Sequence, residues 1–360
     1  MRLPNPCPSR SEGGPMFRML KEIKESPEAL ARLYQREGGK IEKLAAYLQS
    51  HDISLVSFVA RGTSDNAALY GKYLIESMVG IPAHLAAPSV VTIYHADIQT
   101  QKSLVVGVSQ SGEGTDVNRY MEHARAAGAL TLAITNTRNS SITKHADVVI
   151  YLHAGREESV AATKTYVTEC MALLMLAAAW ARRRTTLDLL GKMPEAAEQV
   201  LQSESLIKER VERYRFADQA VVLGRGYHYA TAKEMALKLM ETCYLPAQAF
   251  SVADFMHGPI AMIHEGFPTL MFVTRGKMSE PMLAVARNLR EKGSESIIFS
   301  NTPETRHYAT IHFMMPRALP EVATPVTYII PGQLFAYYLS LARGLDPDHP
   351  KYLQKVTKTL

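Results

Sequence analysis

Leu55-Val56-Ser57-Phe58-Val59-Ala60-Arg61-Gly62-Thr63-Ser64 is the stretch from which the fold can be read. The apolar first half reads as a strand buried on both faces, Arg61-Gly62-Thr63-Ser64 turns the chain, and helical spacing takes over from Asn66 to Met78. The same grammar recurs at His84-Leu85-Ala86-Ala87, at Ser103 to Val108 ahead of Ser109-Gln110-Ser111-Gly112, at Leu130 to Ile134 and at Val148 to Tyr151. Short apolar strands alternating with helices predict an α/β fold built on a parallel sheet covered on both faces.

A second pass of the plan begins near Ala220. Val221-Val222-Leu223-Gly224-Arg225-Gly226 parallels Val59-Ala60-Arg61-Gly62, and the apolar run from Thr269 to Arg275 parallels Val105 to Ser109. Gly62 precedes Ser109, and Gly226 precedes Thr274, by about 47 and 48 residues, the mark of a duplicated unit. Upstream, Met16, Leu20, Ile23, Leu30, Leu33, Ile41, Leu44 and Leu48 recur at helical spacing, with Ser26-Pro27-Glu28 expected to cap and start the second of two helices. The expected organisation is a disordered Pro/Gly/Ser-rich leader over 1–15, with Met16 as an alternative start, and N-terminal helices over 16–50. A first domain follows over 51–195, then a second over 196–345 opened by a connecting helix (Pro194 to Arg213), and a functional tail over 346–360.

Bulk composition narrows the function classes. With 360 residues, 47% of them hydrophobic, the chain is long enough for two cores. Its net charge of +5 is spread without a dense basic block, which argues against nucleic acid. The longest apolar run, Met171 to Trp180, stops at Arg182-Arg183-Arg184, too short for a membrane span and suited to a buried helix. Cys7, Cys170 and Cys243 lie far apart, without metal spacing and odd in number, which fits a reducing cytoplasm.

Several segments carry chemistry. Ser109-Gln110-Ser111-Gly112 stands where a parallel strand gives way to a helix near Asp116, a place where backbone N–H groups and hydroxyls hold phosphate; an ordinary capping turn has the same composition. Arg61-Gly62-Thr63-Ser64 offers the same two readings on a neighbouring strand, and Thr274-Arg275-Gly276 in the second half lacks the serines. Val160-Ala161-Ala162-Thr163-Lys164-Thr165 opens a long apolar helix with small residues that admit either a ligand or close packing. Glu234, Lys238 and Glu241 fall on one helix face, as an exposed ion-pair row or as a carboxylate base with its lysine. His257, before Gly258-Pro259, is either structural or a proton shuttle.

In order and spacing, these segments resemble the sugar isomerase (SIS) domain family in its double-domain form, over nearly all of Leu55 to Leu360. The resemblance implies two tandem SIS lobes, each a parallel-sheet αβα sandwich of flavodoxin-like type. It implies that Gly62, Thr63, Ser64, Ser109, Gln110, Ser111, Thr115, Val160 and Ala162 line the sugar-phosphate site. It further implies that Glu241 moves a proton between C1 and C2, that Lys238 assists, and that His257 opens the sugar ring from a neighbouring subunit of a homodimer. Lys355, in Leu353-Gln354-Lys355-Val356-Thr357, would meet the open-chain carbonyl and can form a Schiff base. Neither metal nor redox cofactor is implied.

The amidotransferase branch of that family has a serine where Ala162 stands, and a threonine where this chain has Gly114 followed by Thr115. No glutaminase segment or mature N-terminal cysteine is expected here. Val160 to Lys164 and the ending from Asp346 are similar to SIS-type glucosamine-6-phosphate deaminases. The expected reaction is therefore conversion of glucosamine 6-phosphate and water to fructose 6-phosphate and ammonia. The alternatives are phosphosugar aldose-ketose isomerisation, deamination of a related amino-sugar or fructosamine phosphate, and a non-catalytic sugar-phosphate sensor.

Overall fold

The computed structural model describes residues 16–316 and 319–355; the expected leader and the last residues of the tail, 356–360, lie outside the described residues. Strands β1 (Leu55–Val59), β2 (Ala83–Leu85), β3 (Ser103–Val108), β4 (Leu130–Thr135) and β5 (Val148–Tyr151) form one parallel sheet in the order β2-β1-β3-β4-β5. Strands β6 (Ala220–Gly224), β7 (Ala247–Ser251), β8 (Pro268–Val273), β9 (Glu295–Ser300) and β10 (Ile311–Met314) form a second, also parallel, in the order β10-β9-β8-β6-β7. Read from its other edge, the second sheet has the order of the first. Both are flavodoxin-like, and each reverses direction beside its first strand, where ligands of open parallel sheets bind. The two tandem α/β lobes expected from the sequence are present.

In the first half lie helices α1 (Arg18–Lys24), α2 (Ser26–Gln49), α3 (Thr63–Leu74), the single turn α4 (Ser89–Thr92), α5 (Thr115–Ala126) and α6 (Lys164–Trp180). Helices α7 (Arg184–Leu190), α8 (Met193–Leu201) and α9 (Glu204–Val211) lead to the second half, which contains α10 (His228–Cys243), α11 (Val252–Met256), α12 (Ser279–Glu291) and α13 (Thr324–Ala342). A core of buried apolar side chains runs from α2 and α6 through α3 and α10 to α13, so the lobes share one interior. Helix α6 is buried along almost its whole length, as its apolar run from Cys170 to Trp180 requires.

Packing of α3 against α10 sets the site, because it brings the turn after β1 against the helix that carries Lys238. Gly71 belongs to this packing: a Cβ there would approach the Phe58 ring to 2.9 Å, so the helix can lie on the sheet only without one.

Three local expectations differ from the structure. Helix α3 begins at Thr63 rather than Asn66, since Gly62 at φ 56° turns the strand straight into the helix. Ser26 is not the cap of α2; Glu25 holds that position without a side-chain bond, and Pro27 supplies the helix start. The connecting segment is two helices, α8 and α9, parted at Ser203, whose hydroxyl donates to the Val200 carbonyl. Among the described residues, no helix is long and apolar enough to cross a membrane.

Candidate active site

The turns after β1 and β3, the segment entering α6, the end of α10 and the tail at 353–355 enclose a cavity of about 320 Å³ at the switch point of the first sheet. Ser109, Gln110 and Ser111 form one wall. The loop is shaped by its own hydroxyls: Ser109 Oγ accepts from the Gly112 N–H at 3.1 Å and Ser111 Oγ from the Glu113 N–H at 3.3 Å. Gly112, at φ 70° and pressed on Ser140, leaves no room for a side chain. Arg61 borders this end of the cavity, with its Nε donating to Asp116 Oδ2 at 2.7 Å at the start of α5. A phosphate there would meet hydroxyls, a helix N-terminus and one guanidinium.

Thr115 is a correction. Its neighbours Gly114 and Asp116 line the cavity, whereas Thr115 lines a separate surface pocket with Glu113 and Asn118, because the first turn of α5 aims it away. Gly62, Thr63, Ser64, Val160 and Ala162 do line the cavity.

Opposite the loop stands Glu241, whose side chain is 22% exposed and borders the cavity. Lys238 Nζ lies 2.6 Å from Glu241 Oε2 and 3.3 Å from Glu234 Oε1, and donates to Thr63 Oγ1 at 3.1 Å. Glu234 in turn accepts from Thr63 Oγ1 at 3.1 Å and from Asn66 Nδ2 at 2.9 Å. Lys238 and Glu234 are fully buried, so the row is not an exposed ion-pair face. Burial pulls the Lys238 pKa down, but the adjoining carboxylates Glu234 and Glu241 outweigh it and hold the ammonium well above its ordinary range. For Glu234 burial wins, pushing its pKa up to about 7 against the pull of Lys238. Lys238 lies behind Glu241 rather than in the cavity wall, and its Nζ donates to that carboxylate.

Lys355 reaches the cavity from the tail. Its Nζ donates to Glu157 Oε2 at 3.1 Å and to the Ser159 carbonyl at 2.7 Å. Glu157 is buried yet kept ionised: desolvation raises its pKa, but Lys355, the Thr165 hydroxyl at 2.6 Å and the Thr163 and Thr165 N–H groups together bring it below the usual value. The N-terminal helices brace this loop, with Glu22 accepting from the N–H groups of Glu158 and Ser159 and Lys164 paired to Glu25 at 2.5 Å. Glu157→Gln is expected to lower stability by ~1–3 kcal/mol in thermal unfolding, and to speed tryptic cleavage in the tail, since a buried ionic acceptor is lost.

His257 ends α11 on the surface and does not line the cavity of its own chain. The corresponding loop of the second lobe is closed from within: Glu321 accepts from the N–H groups of Lys277 at 2.8 Å and Met278 at 3.2 Å, taking up the donors at the start of α12. The lobes share a fold and differ in this site.

Sequence reading missed Asp116 and Glu169 in the cavity wall, and Glu157 as the partner of Lys355. The available signal was strongest for Glu169, the single charged residue between Lys164 and Arg182.

A family model for the SIS domain matches the chain twice, over residues 52–179 and 214–343. The chain belongs to the SIS family. It is 36% identical over 346 residues to a glutamine–fructose-6-phosphate aminotransferase [isomerizing] of Methanothermobacter thermautotrophicus, covering 96% of this chain and 58% of that protein. It therefore spans under two thirds of the length of that relative. The C-terminal domain of glucosamine-fructose-6-phosphate aminotransferase from Francisella tularensis superposes with a TM-score of 0.84 at 26% identity, covering 94% of this SIS chain and all of that one. A glucosamine-6-phosphate deaminase from Thermotoga maritima shares the fold, with a TM-score of 0.77 at 23% identity over 95% of this chain and 100% of that one.

Proposed function

We propose that this SIS protein is an enzyme that converts glucosamine 6-phosphate and water to fructose 6-phosphate and ammonia. The observation that carries the reading is that Glu241, held by the buried Lys238, faces one cavity with Lys355 and the Ser109 to Ser111 loop. A phosphate end, a carboxylate base and a lysine within about 320 Å³ suit a hexose phosphate in open-chain form. The isomerising aminotransferases it resembles carry sugar 6-phosphate names, and the resemblance of Val160 to Lys164 and of the tail sequence to SIS-type deaminases is the ground for choosing deamination.

In the proposed sequence, the loop and Arg61 take the phosphate, and His257 of a second copy opens the ring. Glu241 removes the C2 proton of the aldehyde form and returns it to C1, leaving an imine at C2. Water adds to C2, the C–N bond breaks, and ammonia leaves with a ketone in its place. Lys355 stands where it can polarise the C1 oxygen during proton transfer. The working form is a homodimer, because the His257 of each chain lies outside its own cavity and a symmetric interface can deliver it to the partner's. Exposed Met256 and Met262 flank that histidine. A reducing cytoplasm suits the buried free thiols of Cys170 and Cys243.

The same groups suffice for aldose-ketose isomerisation, which needs only the C1–C2 proton transfer. Purified protein given glucosamine 6-phosphate is expected to release ammonia and fructose 6-phosphate in equal amounts, and faster than with the galactosamine isomer. Interconversion of glucose and fructose 6-phosphates without ammonia would replace the deaminase with an isomerase. Sugar-phosphate binding without any turnover would make the protein a sensor.

A further inference from the structure

We propose that Glu169 is the amine-recognition residue of the cavity, receiving the 2-amino group of an amino-sugar phosphate and so separating it from the corresponding 2-hydroxy sugar phosphate. This rests on the sugar-phosphate reading of the cavity and adds a residue that selects the substrate class.

Glu169 sits in the second turn of α6, fully buried, one turn beyond Thr165, which lines the cavity with it. A carboxyl in such a core is costly unless each oxygen is satisfied. One is: Oε1 accepts from Ser64 Oγ at 2.8 Å. Oε2 is buried and finds no hydrogen-bond partner among the described residues. A residue of the cavity wall therefore keeps one unpartnered carboxyl oxygen, held by a helix and by Ser64.

Glu157, Glu234 and Lys355 act electrostatically on Glu169, and Lys355 lines the cavity with it. A phosphate would be repelled by a carboxylate there, whereas a donor on the sugar's first carbons would be drawn to it. The nearby cations already have partners: Lys355 has Glu157, and Lys238 has Glu234 and Glu241. Glu241 is committed to Lys238 and to the C2 proton, so it is not free to hold the amine. Burial pushes the Glu169 pKa up to about 8, so near neutrality the unpartnered Oε2 carries a proton and becomes an acceptor on ionising. A bound ammonium supplies the missing countercharge and lets it ionise, forming a charge-assisted bond that a hydroxyl cannot match.

Two non-reacting open-chain probes isolate the effect: 2-amino-2-deoxyglucitol 6-phosphate and glucitol 6-phosphate, which differ only at C2. Calorimetric titration is expected to show that wild-type protein prefers the amine probe by ~10- to 100-fold. Glu169→Gln keeps the length and the acceptor for Ser64 while removing the charge. It is expected to erase that preference and leave glucitol 6-phosphate affinity within about twofold. Equal affinity of the wild-type protein for the two probes overturns the proposal without any variant, and so does a Glu169→Gln protein that weakens both probes alike or neither. Because binding is read without turnover, the outcome separates from the deaminase assay: a preference that depends on Glu169 stands even if no ammonia is released, and ammonia release does not rescue a missing preference.

Discussion

Glu241→Gln is expected to lower turnover of glucosamine 6-phosphate by ~10²- to 10⁴-fold while glucitol 6-phosphate binds as before, because the proton carrier is lost and the shape is kept. The structure gives the reason for expecting a clean result. Glutamine retains an oxygen to accept from Lys238 Nζ, which lies 2.6 Å from Glu241 Oε2. Lys238 also keeps Glu234 at 3.3 Å, so no buried cation is stranded and the unfolding temperature should move little. Turnover near the wild-type rate would remove Glu241 from the chemistry. The same variant tests the shared site. If His257→Ala is also inactive, mixing and reassociating the two inactive proteins should restore about a quarter of wild-type activity, since half the dimers are mixed and each has one intact pairing of Glu241 with His257. Two variants that stay inactive when mixed would place both residues in one chain's site, or His257 outside it.

The parts of this architecture that depend on neighbours in the chain were legible, and those that depend on packing were not. Ser103 to Val108 announces a two-face-buried strand by its composition, and the Gly62 turn announces a change of element. The duplication was visible because Gly226 and Thr274 repeat the spacing of Gly62 and Ser109. The spacing of Glu234, Lys238 and Glu241 showed that they share a face, but not that the face is buried. That depends on α3 of the other lobe, which supplies Thr63 and Asn66. In the same way, no local pattern joins Lys355 to Glu157 across 198 residues, or Ser64 to Glu169 across 105. The family resemblance suggested Lys355; the carboxylates that hold it and face it emerged only with the fold.

Lys238→Met should produce the largest loss of stability of any single change at the site, ~3–5 kcal/mol in denaturant unfolding, because it leaves carboxylates buried without their cation. The methionine fills the apolar path of the lysine stem, so a cavity contributes little and the loss reports charge. Its pH dependence provides the check. With Lys238 present, burial already holds Glu234 at about 7, above the ordinary carboxylate range. Without the ammonium its folded pKa rises further, so the folded state binds more protons than the unfolded chain between the two values, and stability falls as pH rises through that window. The variant should therefore lose more stability at about pH 8 than at about pH 6, where Glu234 is neutral and needs no countercharge. Activity should fall too, since Glu241 loses the donor that fixes its direction, and the fall should persist at about pH 6 although folding recovers there. A variant equally destabilised at both pH values would mean that Lys238 acts through packing, and that Glu241 is positioned by other means.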